Sequence, residues 1–119
     1  MSYDLYIVDV HGNRMQSPFK HDIRGGTYCV GGTDKLWLSI TFNYSPMFEK
    51  AFQDNRGIKI LQGKSCLMSI GIIRDAMKRL GDDVTDRYWD ATEGNAKKAL
   101  WNCIQLAALG CDGYWEVEY

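Results

Sequence analysis

The chain is poor in the features that mark several common classes of protein. It has two prolines and two histidines in 119 residues, and its 14 basic residues stand against 15 acidic ones, giving a net charge of -1. Without an excess of positive charge there is no overall field to attract nucleic-acid phosphates or anionic lipids. No apolar run approaches the roughly 20 residues of a membrane-spanning helix, and no basic segment leads into an apolar one near the start. We therefore expect a cytosolic protein without non-specific affinity for nucleic acid.

The cysteines and histidines do not form a metal-binding pattern. No CxxC pair is present, and two histidines are too few to complete a zinc cluster of the usual spacing. Cys29, Cys66, Cys103 and Cys111 could in principle form two disulfides, but without a secretion signal we expect free thiols in a reducing cytosol. Cys66 and Cys103 fall on the apolar faces of predicted helices, where a free cysteine packs as a small hydrophobic residue. We predict no bound metal and no cofactor.

What the chain does contain is 45% hydrophobic residues, enough for a single globular domain over residues 1–119 with a substantial core. Four segments have strand character: residues 3–10, 27–30, 35–43 and 113–119. Apolar residues alternate with Trp37 and polar residues in the third of these, as in a half-buried strand. Its predicted core face consists of Leu36, Leu38, Ile40 and Phe42. Glycines within residues 31–34 predict a hairpin turn before it.

Residues 11–26 have no sustained apolar period and predict a long connection of undefined conformation. Residues 58–61 form a brief apolar run that we interpret as extended or irregular. In the last strand, Trp115, Val117 and Tyr119 alternate with glutamates, so we expect these three side chains to pack on the core.

Three helices are predicted from capping residues and apolar spacing. The first has Ser45 as its N-cap with Pro46 following, and ends near Gln53. The second begins at Ser65 and ends at Gly81, with apolar positions Leu67, Ile70, Ile73, Met77 and Leu80. The third has Thr92 as its N-cap and ends at Gly110, burying Ala96, Ala99, Leu100, Cys103, Ile104 and Ala107. This order of elements predicts an α+β domain, a mostly antiparallel sheet of about four strands with three helices packed on one face.

No catalytic pattern is complete. Residues 62–66, QGKSC, resemble part of a phosphate-binding P-loop, but that motif requires glycine at position 58, which is Ile58. Lys64 and the free amides of the helix beginning at Ser65 could still contact one anionic group. Asp9, His11, His21 and Asp22 have the side chains of a metal site or an acid/base pair, although two histidines are no more than chance supplies. The acidic residues Asp82, Asp83, Asp86, Asp90 and Glu93 lack the calcium-loop spacing and indicate a solvated turn.

Aromatic residues beside two predicted helix starts leave two interpretations open. Tyr44 precedes one helix, and Tyr88 with Trp89 precedes another; Trp37 and Asn43 share the polar face of their strand. Rings could stack on a planar ligand while helix amides hold its phosphate. Alternatively, these rings fasten the chain to its helices and belong to the core. We assign Trp101 and Trp115 to the core.

The segments NYSPMF, residues 43–48, and YWDATEGNAKKAL, residues 88–100, resemble a broad group of small bacteriophage and prophage proteins. These proteins carry Asn-x-[Ala/Ser]-Pro-Met-aromatic, then an apolar helix, then Tyr-Trp-x-x-Thr-x-Gly-Asn-Ala and a short final strand. The resemblance extends from about Thr41 to Trp115, and Glu93 stands where many members have proline. It implies a phage origin, residence in the host bacterial cytoplasm and no established reaction. Phage proteins of this size often counter host defence.

Two functions follow as hypotheses. In the first, a non-enzymatic homo-oligomer sequesters a small nucleotide-like immune signal. Its ligand-binding residues would be Asn43, Tyr44, Ser45, Arg87, Tyr88, Trp89, Thr92 and Asn95. In the second, the chain inhibits a host defence complex, in the manner of an anti-CRISPR protein, through Tyr88, Trp89 and the aspartates of residues 82–90. A small enzyme acting on a nucleotide is the third, less favoured alternative.

Overall fold

A computed structural model describes residues 2–23 and 32–119. Its strands and helices follow the order β1 (Ser2–Val8), β2 (Gln16–His21), β3 (Thr33–Lys35), β4 (Trp37–Thr41), α1 (Ser45–Phe52), α2 (Cys66–Lys78), α3 (Glu93–Leu109) and β5 (Tyr114–Glu118). Short 3-10 helices occupy Phe42–Tyr44 and Gly57–Leu61. The predicted α+β class is confirmed. Among the residues described, no helix combines the length and apolar character needed to cross a membrane.

The main sheet has three antiparallel strands in the order β4-β1-β5, so the two ends of the chain meet in it. On β1, Tyr3, Leu5 and Ile7 are buried, whereas Asp4 and Tyr6 lie on the outer, half-exposed face. The buried face packs with the helices into one core. This arrangement agrees with the predicted sheet covered on one side by helices.

A second, two-stranded sheet replaces part of the predicted hairpin. Strand β2 lies within residues 11–26, where only a connection was expected, and it pairs with β3 through His21 and Thr33. The predicted strand 35–43 is wrong as a single element because the chain changes partner at Leu36, from β2 to β1, and turns into a 3-10 helix at Phe42. The predicted turn 31–34 is wrong at Thr33 and Asp34, which belong to β3. The predicted strand 27–30 lies outside the described residues.

Helix boundaries follow the capping residues closely. In α3 the Thr92 hydroxyl accepts a hydrogen bond from the Asn95 amide at 3.1 Å, and Gly110 is the C-cap. In α2 Ser65 is the N-cap, as predicted. Helix α1 differs by one residue: Tyr44 is the N-cap, because the preceding 3-10 turn lets the Ser45 hydroxyl donate to the Phe42 carbonyl instead.

Four predictions about buried positions and element bounds are wrong. Leu67 is 61% exposed because α2 buries the neighbouring stripe of Cys66, Ser69, Ile73 and Ala76, and α2 ends with Arg79 as its C-cap, before Gly81. Tyr119 is exposed because β5 ends at Glu118, one residue before it. Residues 57–61 form a 3-10 helix, where an extended or irregular segment was expected.

The segment QGKSC covers the outer edge of β5. The Gly63 amide donates to the Trp115 carbonyl at 2.8 Å, and the Trp115 amide donates to the Lys64 carbonyl at 2.9 Å. The Cys66 amide donates to the Gly113 carbonyl, and the Ser65 hydroxyl accepts from the Met68 amide. The Cys66 and Met68 amides, at the start of α2, were expected to be free for an anion but are bonded within the chain. The predicted anion contact at Lys64 therefore loses two of its donors.

Candidate functional site

Residues 79–92 form the loop that joins α2 to α3. The loop has no regular secondary structure, but hydrogen bonds from the buried side chain of Asn95 hold it in place. The Asn95 side chain is 5% exposed. Its Oδ1 accepts from the Thr85 amide at 3.2 Å, and its Nδ2 donates to the Arg87 carbonyl at 3.1 Å and the Asp90 carbonyl at 3.2 Å. A further contact joins Nδ2 to the Thr85 hydroxyl oxygen. One buried amide therefore sets the conformation of the loop through bonds to three of its residues.

Gly94 explains why this loop lies so close to α3. Its amide donates to the Asp83 carbonyl at 3.1 Å, and a Cβ added at Gly94 would lie 2.6 Å from that carbonyl oxygen. Only glycine allows the two backbones to approach this closely. In the Thr-x-Gly-Asn segment, Thr92 therefore caps α3, Gly94 lets the loop backbone approach the helix, and Asn95 anchors the loop.

Tyr88 and Trp89 lie on the outside of this loop. Tyr88 is 51% exposed and Trp89 48% exposed, and their rings meet edge to face with centroids 5.3 Å apart. The Asn43 side chain donates to the Trp89 carbonyl at 2.8 Å, which joins the loop to the residues preceding α1. Neither ring is enclosed in the core, so the interpretation of both as core residues is wrong.

The predicted ligand-binding set divides into exposed and internal members. Asn43, Arg87, Tyr88 and Trp89 are exposed. Tyr44 is buried, and its pKa is raised to about 12 by burial and by the nearby Tyr88 phenol and Asp90 carboxylate. Ser45 is hydrogen-bonded to the Tyr3 hydroxyl and the Phe42 carbonyl. The structure therefore corrects Tyr44 and Ser45 from ligand contacts to internal supports.

Thr92 and Asn95 need the same correction, because their polar groups are bonded within the chain. The Thr92 hydroxyl caps the Asn95 amide, the Gly94 amide is bonded to Asp83, and the Asn95 side chain is engaged with the loop. Arg87 was expected to pair with a phosphate, but its Nε donates to the Asp90 carboxylate at 3.2 Å. The Gly94 and Asn95 amides and the Nε of Arg87, which were expected to hold an anion, are thus already bonded within the chain.

Several acidic residues belong to the same loop as the exposed rings or to the helix start that follows it. Asp82 pairs with Lys97 at 2.8 Å, and Glu93 pairs with Lys50 at 2.9 Å. Lys50 and the Gly81 amide lower the pKa of Glu93, which therefore stays ionised. Asp83 and Asp86 are exposed and have no ion-pair partner within residues 2–23 and 32–119. We call Asp83, Asp86, Tyr88 and Trp89 together the acidic–aromatic surface.

A second exposed indole lies on α3. Trp101 was assigned to the core, but it is 50% exposed because the buried stripe of α3 passes through Leu100 and Cys103. It lines a shallow depression of about 320 Å³ with Val84 and Met77, flanked by Lys97. Trp115, in contrast, is 1% exposed and confirmed as a core residue.

The histidine and aspartate candidates near the N-terminus have structural partners. Asp9 accepts hydrogen bonds from the His11 and Asn13 amides at 2.9 Å, and the Asn13 amide, foremost, lowers the pKa of that carboxyl. His21 is buried between β2 and β3, with Nε2 2.7 Å from the Lys35 carbonyl and Nδ1 accepting from the Ile23 amide. In the described part of the chain, no three potential metal-ligating side chains converge. These contacts therefore give no support to an acid/base pair among Asp9, His11, His21 and Asp22.

Sequence reasoning missed one site, a cavity of about 320 Å³ between β1, β3 and the start of β2. From the sequence, Trp37 was placed on the polar face of its strand. Tyr6, whose ring lies beside Trp37, and Arg14, which lies over the Tyr6 ring, were not identified. The alternation of β1 placed Tyr6 on the same face as Trp37, which was a usable signal. Arg14 lay in the segment without a readable pattern.

Comparisons with protein-family models, with curated proteins and with solved structures gave no match. The contacts described above are therefore the basis for the functional assignment.

Proposed function

We propose that this chain is a non-enzymatic, phage-encoded protein that binds a host defence protein through the acidic–aromatic surface. The phage setting and the class of target rest on the sequence resemblance. The observation that carries the binding role is the exposure of Tyr88 and Trp89 on a loop held by buried Asn95. Tyrosine and tryptophan are the side chains most enriched at the centres of protein interfaces.

The rigidity of the loop supports this role. Side chains on a loop that is already ordered lose less conformational entropy on binding than side chains on a loop that must be ordered by the partner. The Asn43 bond to the Trp89 carbonyl and the edge-to-face contact between the two rings restrict the aromatic pair further. The free protein therefore presents these rings close to a single geometry.

Charge indicates the chemistry of the partner. Asp83 and Asp86 have no cation beside them in the described residues, and Arg87 is neutralised by Asp90. A complementary surface would hold an apolar pocket for the Trp89 indole with lysine or arginine side chains at its rim. Such basic surfaces are typical of proteins that bind nucleic acids, which is consistent with a nuclease complex of host defence as the target.

Sequestration of a nucleotide-like signal has less support at this surface. A phosphate there would face Asp83 and Asp86, and the nearest guanidinium, that of Arg87, is already paired. Like charges close together are repulsive unless a cation intervenes. The same acidic side chains that oppose a phosphate favour a basic protein.

Capture of host proteins by the immobilised chain tests this proposal. We expect Trp89→Ala to lower the retained amount of a stoichiometric partner by at least about 10-fold, as for a central interface residue. Trp101→Ala is the matched control, because it removes an indole of almost equal exposure from α3, outside the four residues of the acidic–aromatic surface. Equal losses of the retained partner in both variants would contradict the proposal. Retention that rises between 0.1 and 0.5 M salt would also contradict it, because the screening length falls from about 10 to about 4 Å over this range and weakens attraction between opposite charges.

Self-association through β4 is the second part of this proposal. Leu36 bonds to β1 through its carbonyl, so the alternation of an antiparallel ladder directs the backbone groups of Trp37, Ser39 and Thr41 away from β1. No other strand of the described residues pairs with that edge. A second copy fits it antiparallel about a two-fold axis at Ser39, because the outward groups then pair in register.

Light scattering of the Ser39→Lys variant tests this pairing. Ser39 lies opposite Asp4 within the chain, so a lysine there is favourable in the monomer, whereas two lysines would face each other across the two-fold axis. We expect a dimeric wild type and a monomeric variant whose circular-dichroism spectrum is that of the folded wild type. A wild type that stays monomeric at about 1 mM, a concentration that detects even weak pairing, would rule out association through β4.

A further inference from the structure

The cavity between β1 and β3 has the construction of a small-molecule site. Its floor is apolar, formed by Leu36, which is 2% exposed, and by Met15, which packs on the core. Tyr6 and Trp37 supply its aromatic wall, and the exposed residues Gln16 and Lys35 are polar members of its lining. Ligand sites in proteins are concave, largely apolar and furnished with a few orienting polar groups, and about 300 Å³ is sufficient for a small ligand.

The aromatic wall is held in place by contacts on several sides. The Tyr6 and Trp37 rings are 19° from parallel with centroids 6.4 Å apart, and the indole N–H of Trp37 donates to the Asp4 carboxylate at 3.1 Å. The guanidinium of Arg14 lies 3.6 Å from the centre of the Tyr6 ring. These contacts fix the orientation of the indole before any ligand arrives.

Of the two cationic side chains that line the cavity, Arg14 is neutralised by carboxylates and Lys35 is not. Arg14 forms ion pairs with Glu118 at 3.1 Å and Glu116 at 3.5 Å. The Lys35 ammonium has no ion-pair partner among residues 2–23 and 32–119, so it is the cation available to a ligand. An aromatic wall beside an unpaired ammonium complements a flat molecule with a negative group at one end.

We propose that this cavity binds a planar ring that carries one anionic group, a phosphate or a carboxylate. The ring packs against Trp37 over the Leu36 floor, and the anion pairs with Lys35. This site is separate from the acidic–aromatic surface and does not depend on the function proposed for that surface. It also provides a place for a nucleotide-like ligand at residues other than those first predicted.

Titration with adenosine monophosphate and with indole-3-acetate, followed by calorimetry and by NMR of the indole N–H signals, tests this site. We expect a Kd below about 1 mM for at least one of the two probes. The N–H signal that shifts should be the one that disappears in Trp37→Phe. Adenosine and inorganic phosphate, which each supply only half of the required chemistry, should bind at least about 10-fold more weakly than adenosine monophosphate.

Matched variants separate this site from a general surface effect. Lys35→Met removes the charge but keeps the stem, and we expect about a 10-fold loss of affinity. Lys20→Met, an exposed lysine on β2 that does not line the cavity, should bind as the wild type does, and so should Trp89→Ala. Absence of saturable binding of both probes up to about 10 mM, or an equal loss in the Lys35 and Lys20 variants, would overturn the proposal.

Discussion

Replacement of Asn95 by aspartate is the most informative single change, because it exchanges the amide that anchors the loop for a carboxylate of the same shape. The amide donates to the carbonyls of Arg87 and Asp90, and aspartate has no proton to donate when ionised. Its second oxygen would instead face those carbonyl oxygens from a position that is 5% exposed. The change therefore removes two bonds and places a negative charge among acceptors.

The balance of these effects is unfavourable. Two lost hydrogen bonds cost about 2 kcal/mol, and burial of a carboxylate opposite acceptors adds about 1 to 2 kcal/mol. Residue 95 is the third residue of α3, where a negative charge gains about 0.3 to 1 kcal/mol from the helix dipole. The net loss is about 2 to 4 kcal/mol. For a chain of this length it lowers the melting temperature by roughly 8 to 16 °C.

The loss should depend on pH in a defined direction. Burial among acceptors raises the folded-state pKa of the new aspartate above its unfolded value of about 3.9. The penalty is therefore complete above the folded pKa and shrinks as the pH falls toward the unfolded value, because the protonated carboxyl can again donate one bond. The melting-temperature difference from wild type should be largest at pH 7 and should decrease toward pH 4.

Thermal denaturation followed by circular dichroism measures both effects. Asn55→Asp is the control, since it adds the same charge at an exposed turn and should melt within about 2 °C of wild type. An Asn95→Asp variant that melts as the control does would show that this amide does not anchor the loop. A full loss that stays the same from pH 7 to pH 4 would show that the lost donor bonds, and not the buried charge, are responsible.

Three further predictions concern the core, the thiols and one ion pair. Ser69→Ala should cost about 1 to 3 kcal/mol in urea denaturation, because the buried Trp115 indole N–H, now 2.8 Å from the hydroxyl, loses its acceptor; an unchanged midpoint would contradict this. Burial raises the pKa of Cys103 to about 12, so peptide mapping after alkylation should show exposed Cys111 modified first, and equal rates would refute the order. The lowered pKa of Glu93 means that its contribution to stability is present above its ordinary value of 4.5 and is lost as pH falls through the folded pKa, so Glu93→Gln should differ from wild type at pH 7, and the difference should shrink once the pH falls below 4.5.

The helices were the most predictable elements because their signals are local. Thr92 and Ser65 cap α3 and α2 through bonds to amides three residues further on, so a few neighbouring residues contain the necessary information. The apolar face of α2 was less predictable. Its sequence carries two overlapping apolar stripes, and only packing against α3 decides that Cys66 is buried while Leu67 is exposed.

The candidate site was partly predictable for the same reason. The sequence placed Tyr88 and Trp89 beside a helix start, but it could not tell an exposed ring from a core ring, since both are hydrophobic residues outside a regular period. Asn95 was predicted to be one of the ligand-binding residues. Its actual partners, Arg87 and Asp90, became evident only once the loop was seen folded over α3.

The sequence by itself determined the class of this protein: an α+β domain with the positions of its three helices and a final strand, set by short-range capping and periodicity. The tertiary structure decided what the remaining side chains do. It placed Asn95 under the loop, left Trp89 in solvent and brought Tyr6, Lys35 and Trp37 around one cavity. These outcomes depend on contacts between residues far apart in the chain, and no local pattern encodes them because each is fixed only when separate elements pack together.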